Sequence, residues 1–251
     1  MVATFQLFAS DAKRRYRLAV GAACCCLFLA NPALVHAAET AVAQGAVIGP
    51  TGLLESYEGV RNRELDEWKR DISAYSLRHY GIATWKLEPT AIVLHYTAGS
   101  GFPLNLIESR EFKDETPGVA SHFVIAEEAG RVAVYQLLPL DVMSRATFGA
   151  NFCAISVEMV ALDEADLLGK RALLDRTSVL VRDLMARFGI PASRVYGHAE
   201  IDRRLAEDPH GEFYDNTIEG AFVPRKVDPG NAAMAIVRSA LSGDDPPASG
   251  N

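Results

Sequence analysis

The chain has 251 residues, of which 49% are apolar and 23% charged, with 19 Gly and 12 Pro. That is the length of one large domain or two small ones with a globular composition, which excludes collagen-like, wholly disordered and polytopic membrane classes. A formal net charge of −7 argues against a nucleic-acid partner, which requires clustered Lys and Arg.

Residues 1–37 have the form of a secretory signal peptide. Lys13, Arg14, Arg15 and Arg17 precede an apolar run from Leu18 to Ala30, and Val35-His36-Ala37 offers a small-residue cleavage site. The apolar run is shorter than the roughly 20 residues of a bilayer-spanning helix. The expectation is therefore export to the periplasm or beyond, without stable membrane insertion once the signal is removed; lipid attachment at Cys24 is the alternative. Removal would leave 21 basic and 31 acidic residues, a net charge of −10, and would take away Cys24, Cys25 and Cys26. Cys153 then remains alone and no internal disulfide can form. Residues 38–50 form an Ala/Gly-rich lead-in, residues 51–241 one domain without internal repeats, and residues 242–251 a polar tail.

Helix formers from Arg61 to Tyr80 predict a helix closed by Gly81. Short β-branched and apolar runs predict strands at Ala91–His95, Ser121–Ala126, Arg131–Leu137, Ala154–Val160 and Val195–Gly197, with Glu127-Glu128-Ala129-Gly130 as a hairpin turn. Leu173, Thr177, Leu180, Val181, Leu184, Met185 and Phe188 fall mostly three or four apart, which predicts an amphipathic helix from Arg171 to Phe188, closed by Gly189 and Pro191. Strands interleaved with helices predict an α/β domain, a central mixed β-sheet flanked by helices. The 27 residues between His198 and Lys226 show no regular period and are expected to form a long functional loop.

Three polar candidates stand where strands end. His95 closes Ala-Ile-Val-Leu-His, His198 follows Val-Tyr-Gly, and Asp228 lies in Arg-Lys-Val-Asp-Pro-Gly. A strand that runs into a polar residue and a loop delivers that side chain to the sheet edge, where ligands gather. Two imidazoles and a carboxylate suit Zn²⁺ and leave its fourth position open. On residue types alone the set stays undecided. The histidines are 103 residues apart with no His-Glu-x-x-His helix to join them, and each taken singly is an ordinary satisfied side chain.

Context adds to this. The chain resembles the zinc-dependent N-acetylmuramoyl-L-alanine amidase family, which includes phage amidase-type lysozymes, AmpD-like amidases and peptidoglycan recognition proteins. The resemblance runs through Ile92-Val93-Leu94-His95-Tyr96-Thr97-Ala98, Ser121-His122-Phe123-Val124-Ile125 with Gly130-Arg131-Val132, and Asn151 with Ala154-Ile155-Ser156-Val157-Glu158-Met159-Val160. It continues through Gly197-His198-Ala199-Glu200-Ile201 and Arg225-Lys226-Val227-Asp228-Pro229-Gly230. It implies a zinc amidase domain acting on peptidoglycan or muropeptides, with one Zn²⁺ per chain on His95, His198 and Asp228, Glu158 as the catalytic carboxylate, and Lys226 stabilising the oxyanion. Period-two alternation would put Lys226 and Asp228 on one side of an extended segment, and Ser156 and Glu158 on one face of their strand.

The sequence also departs from the family. Ser121 stands where some relatives have a tyrosine near the metal, and Arg145-Ala146-Thr147-Phe148-Gly149 lacks a histidine that many carry. His122 is expected to be structural or substrate-side, and His210 competes less well than Asp228 as the third ligand. Cys153 is expected as a small core residue beside Ile155 and Val157, and His79 near the surface in the last turn of the first helix. Trp68 and Trp85 are expected to pack. Two other functions remain open: a non-catalytic peptidoglycan-binding module on the same fold, and a zinc peptidase acting on stem peptides.

Overall fold

Nearly unbroken burial along Ala91–Tyr96 and Ala154–Met159 is the pattern of a sheet covered on both faces. The computed structural model describes residues 64–103, 110–128 and 130–242. The expected export signal and lead-in, the first residues of the expected helix (61–63) and the expected tail beyond Ser242 lie outside them. In chain order the elements are α1 (Leu65–Tyr80), β1 (Ala91–Tyr96), β2 (Phe123–Glu128), β3 (Arg131–Gln136), β4 (Ala154–Met159), α2 (Glu164–Gly169), α3 (Arg171–Phe188), a 3₁₀ turn (Ala192–Arg194), β5 (Val195–Gly197), α4 (His198–Glu207) and α5 (Asn231–Ser242).

The five strands form one sheet in the order β3-β2-β4-β1-β5. β1 runs parallel to β4 and β5, β2 runs parallel to β4, and β2 and β3 form the antiparallel hairpin. This is the predicted mixed sheet with flanking helices. The hairpin ladder closes at Glu128 opposite Arg131, so Glu127 and Glu128 belong to β2 rather than to the turn. β2 also starts later than expected: the Ser121 hydroxyl donates to the Phe123 carbonyl (2.9 Å), which bends the chain before pairing becomes regular.

One face of the sheet buries Ile92, Leu94, Ile155, Val157 and Met159 against Leu173, Leu180 and Leu184 of α3 and Met234 and Val237 of α5. α3 has the predicted bounds and stops at Gly189 in the left-handed conformation (φ 65°), where the absence of a Cβ removes the steric cost. α2 and α5 had no sequence expectation. The Asp163 side chain caps α2 by accepting from Asp166 N–H, and Glu164 accepts from Ala232 N–H (2.7 Å) in the first turn of α5, which fixes the two helices together.

The other face carries Ala91, Val93, Ala154 and Tyr196, packed against Ile201 and Leu205 of α4 and Phe213. Cys153 belongs to this group. It precedes β4 and does not lie with Ile155 and Val157, so strand alternation does not apply to it; it is nevertheless a buried free thiol, its pKa pushed up to about 12 by burial. α1 packs Trp68, Ile72, Tyr75 and Tyr80 on Leu138, Val142 and Met143, with Trp85 at the margin.

α4 corrects the expectation of an unstructured stretch after His198. Its first ten residues are helical, with Glu200 reaching back to the Gly197 N–H (2.8 Å) and His198, Ile201, Asp202 and Leu205 buried along one stripe. Residues 226–228, in turn, are not a strand.

Candidate metal centre

The carboxyl ends of the three parallel strands β1, β4 and β5 define the site. Register sets His95 beside Glu158, and His198 is the first residue after β5. Asp228 arrives from the segment before α5 and is docked by two contacts. Ala199 N–H donates to the Asp228 carbonyl (2.9 Å), and Gly197 lies so close to Pro229 that a Cβ there would meet its Cδ at 2.8 Å. Glycine at 197 therefore lets the two ligand-bearing segments touch.

His95, His198 and Asp228 are all buried, and one ligating atom from each lies within 4.8 Å of the others. Both Nδ1 atoms approach the same carboxylate oxygen: Asp228 Oδ2 is 3.1 Å from His95 and 3.3 Å from His198. Beyond this approach to Asp228, neither ring nitrogen of His198 makes an aligned hydrogen bond, and Glu158 Oε2 makes none, although all are buried. Buried polar atoms are rarely left so, and beside a donor set of two imidazoles and one carboxylate they fit a metal ion with an open position.

Electrostatics agree with ligand chemistry. Burial, and then His95, push the His198 pKa down to about 4, so its imidazole is neutral and its lone pairs are available. Burial works to raise Asp228, but the two imidazoles overcome it and hold the carboxyl well below the usual range. Glu158 moves the other way. Burial raises it, His95 and Lys226 pull it down, Asp228 pushes it up, and the net shift is upward, towards the range of a general base.

All five predicted site residues border one cavity of about 740 Å³. Lys226 is exposed on its rim. Val227, 69% exposed, borders the cavity too, so strict alternation of Lys226 and Asp228 does not hold. What fixes this segment is Asp202, whose Oδ2 accepts from the N–H groups of both Arg225 (2.8 Å) and Lys226 (2.9 Å).

Two residues at the site had escaped sequence reasoning. Asp202 is one, buried one helical turn after His198. Thr147 is the other: its Oγ1 lies 3.0 Å from His95 Nε2, while its N–H and that of Ala146 both donate to Asn151 Oδ1 (2.8 and 2.9 Å). With a metal on Nδ1, the hydrogen would sit on Nε2 and Thr147 Oγ1 would accept it, which is how partners of metal-binding histidines fix ring and tautomer. The match at Asn151 was legible; the hydroxyl it serves was not.

The other histidines fall elsewhere. His122 Nδ1 accepts from Ser156 N–H (3.1 Å) and Nε2–H donates to the Val142 carbonyl (3.0 Å); burial lowers its pKa to about 4, so it is a neutral core strut. His210 is exposed, bridged to Tyr214, and is not part of the ligand cluster. His79 is not at the surface: it is buried, its ring nitrogens 2.7 Å from Asp215 and 2.8 Å from Glu115, and it stacks on Tyr75. The long 208–230 segment needed an anchor at α1, and this histidine is part of it.

The fold and cluster together define an α/β domain with a metal-ligand set at its parallel-strand edge. Residues 85–231, more than half of the chain, match the Amidase_2 family, N-acetylmuramoyl-L-alanine amidase, and the chain belongs to that family. Comparison with curated proteins gave no match. Among solved structures, the PlyG catalytic domain is 20% identical with a TM-score of 0.41, covering 72% of this chain and 95% of its own. A mutant endolysin from Bacillus subtilis is 19% identical at 0.36, with 49% and 82% covered. AmiD from E. coli, in complex with its substrate anhydro-N-acetylmuramic acid-L-Ala-D-gamma-Glu-L-Lys, is 22% identical at 0.36, with 49% and 52% covered.

Proposed function

We propose that this protein hydrolyses the amide bond between N-acetylmuramic acid and L-alanine in peptidoglycan or muropeptides, using one zinc ion held by His95, His198 and Asp228. One observation carries the reading: a neutral His198 and a Glu158 with a raised pKa and an unsatisfied buried oxygen lie with His95 and Asp228 at the wall of one cavity. Family membership supplies the bond.

Zinc at these ligands supplies Lewis-acid polarisation of a carbonyl and brings the pKa of bound water to about 7. The chain's own residues do the rest. Glu158, in reach of the site by its register with His95, accepts a proton from water and delivers it to the departing nitrogen. Lys226 turns its ammonium to the negative charge that grows on the carbonyl oxygen. Thr147 holds His95, and Asp202 holds the Lys226 backbone. Residues 1–37 direct the chain to the compartment where peptidoglycan lies.

The test is mass spectrometry of purified cell wall digested by the zinc-loaded protein. Free stem peptides beginning at L-alanine are expected. Intact muropeptides would point to a binding module, shortened stems to a zinc peptidase, and full activity after chelation would overturn the metal assignment.

A further inference from the structure

Residues 112–117, between β1 and β2, are held in an uncommon shape by one buried guanidinium. Arg145, 7% exposed, donates from Nη1 to the carbonyls of Glu115 (2.8 Å) and Pro117. From Nη2 it donates to the Phe112 carbonyl (3.2 Å) and the Glu115 carboxylate (2.7 Å). Phe112 N–H closes the segment on the Glu115 carbonyl (2.9 Å), and the Glu115 side chain meets His79 (2.8 Å) and Arg78 at the end of α1.

Inside this frame Lys113 (φ 53°) and Asp114 (φ 59°) are both left-handed. That region costs an L side chain roughly 1–2 kcal/mol per residue, and such outliers gather at ligand sites, where surrounding structure over-determines them. Burying a charge adds a further cost unless it is fully bonded, as Arg145 is here. The frame presents Lys113 to the metal cavity. No carboxylate of the described residues pairs with its ammonium, which lies 5.5 Å from the centre of the Phe112 ring. In a chain of net charge −7, an unpaired cation on a rigid mount at this cavity runs against the prevailing charge.

We infer that Lys113 is a specificity-determining residue whose ammonium pairs with a carboxylate on the peptide of the substrate. The substrate class is then muramoyl peptides that keep this carboxylate free, in preference to those in which it is amidated. The inference rests on the amidase reading above. A γ-linked glutamyl residue next to the L-alanine carries such a free α-carboxylate.

The probes are N-acetylmuramoyl-L-Ala-D-γ-Glu-L-Lys and its analogue with that α-carboxylate converted to the carboxamide. The wild-type protein is expected to favour the acid roughly fivefold in kcat/KM, the scale of an accessible charge pair, with the difference in KM. Lys113→Gln should erase the preference by raising KM for the acid alone, leaving kcat, zinc content and the amide substrate unchanged; Lys113→Arg should keep it. A Lys113→Gln enzyme that retains the preference, or that loses both substrates alike, overturns the assignment. Calorimetry of both peptides on the chelator-treated protein separates the two readings. A charge preference in binding without turnover removes the amidase reading and keeps the Lys113 pairing; turnover without any preference does the reverse.

Discussion

The two faces of the sheet are built from alternate residues of the same strands, yet they carry opposite loads. Under α3 and α5, Ile92, Leu94, Ile155, Val157 and Met159 are apolar and fully buried along the whole strand. On the other face β1 passes from Ala91 and Val93 to His95, and β4 from Ala154 and Ser156 to Glu158. That face grows polar towards the carboxyl ends of the strands, through Ser156 to His95 and Glu158. Incompletely satisfied buried groups such as those of His198 and Glu158 are costly to fold around, and the uninterrupted apolar face is what offsets them. Stability and chemistry are thus assigned to neighbouring residues of one strand.

Two substitutions three residues apart on β4 should separate the two loads. Glu158→Gln keeps the shape and the ligands; kcat should fall by about 10²–10⁴ while zinc content, measured by atomic absorption, stays at one per chain. Ile155→Ala should leave the site intact but cost about 2–5 kcal/mol of stability in denaturant unfolding, with kcat per folded molecule little changed. A large loss of kcat per folded molecule would show that the faces are not independent. The smallest effect lies behind the ligands. Thr147→Val should weaken zinc binding by roughly 10–100-fold in chelator competition, and Thr147→Ser should recover most of it. Unaltered zinc affinity in the valine variant would remove the hydroxyl from the assignment.

What was legible in the sequence follows the same division. Elements whose buried stripe is apolar, such as α3 and the strands, declared themselves through periodicity. α4 did not, because half of its buried stripe is His198 and Asp202, polar residues placed inward for the site rather than for the core. His79 was mistaken for a surface residue for a related reason: its carboxylate partners, Glu115 and Asp215, lie 36 and 136 residues away, beyond the reach of any local pattern. His95, His198 and Asp228 were found because each abuts a recognisable strand or motif. Thr147 and Asp202 touch the site only through a hydroxyl and a carboxylate facing backbone or ring nitrogens, and no spacing rule marks such partners.

The double hydrogen bond from Asp202 to the Arg225 and Lys226 amides has a bearing on how this domain can change. It ties the helix that starts with His198 to the residues just before Asp228, while Asp215 on His79 ties the middle of the intervening chain, so the stretch left to vary between fixed points is 216–224. Closing a longer excursion between fixed ends costs only about 0.6 kcal/mol for each doubling of its length. Insertions and substitutions there can redraw the wall made by Ile218, Phe222 and Val223 while the ligands keep their places. The domain therefore has an adjustable jaw on an invariant anvil, and new substrate shapes can be accommodated without rebuilding the metal centre.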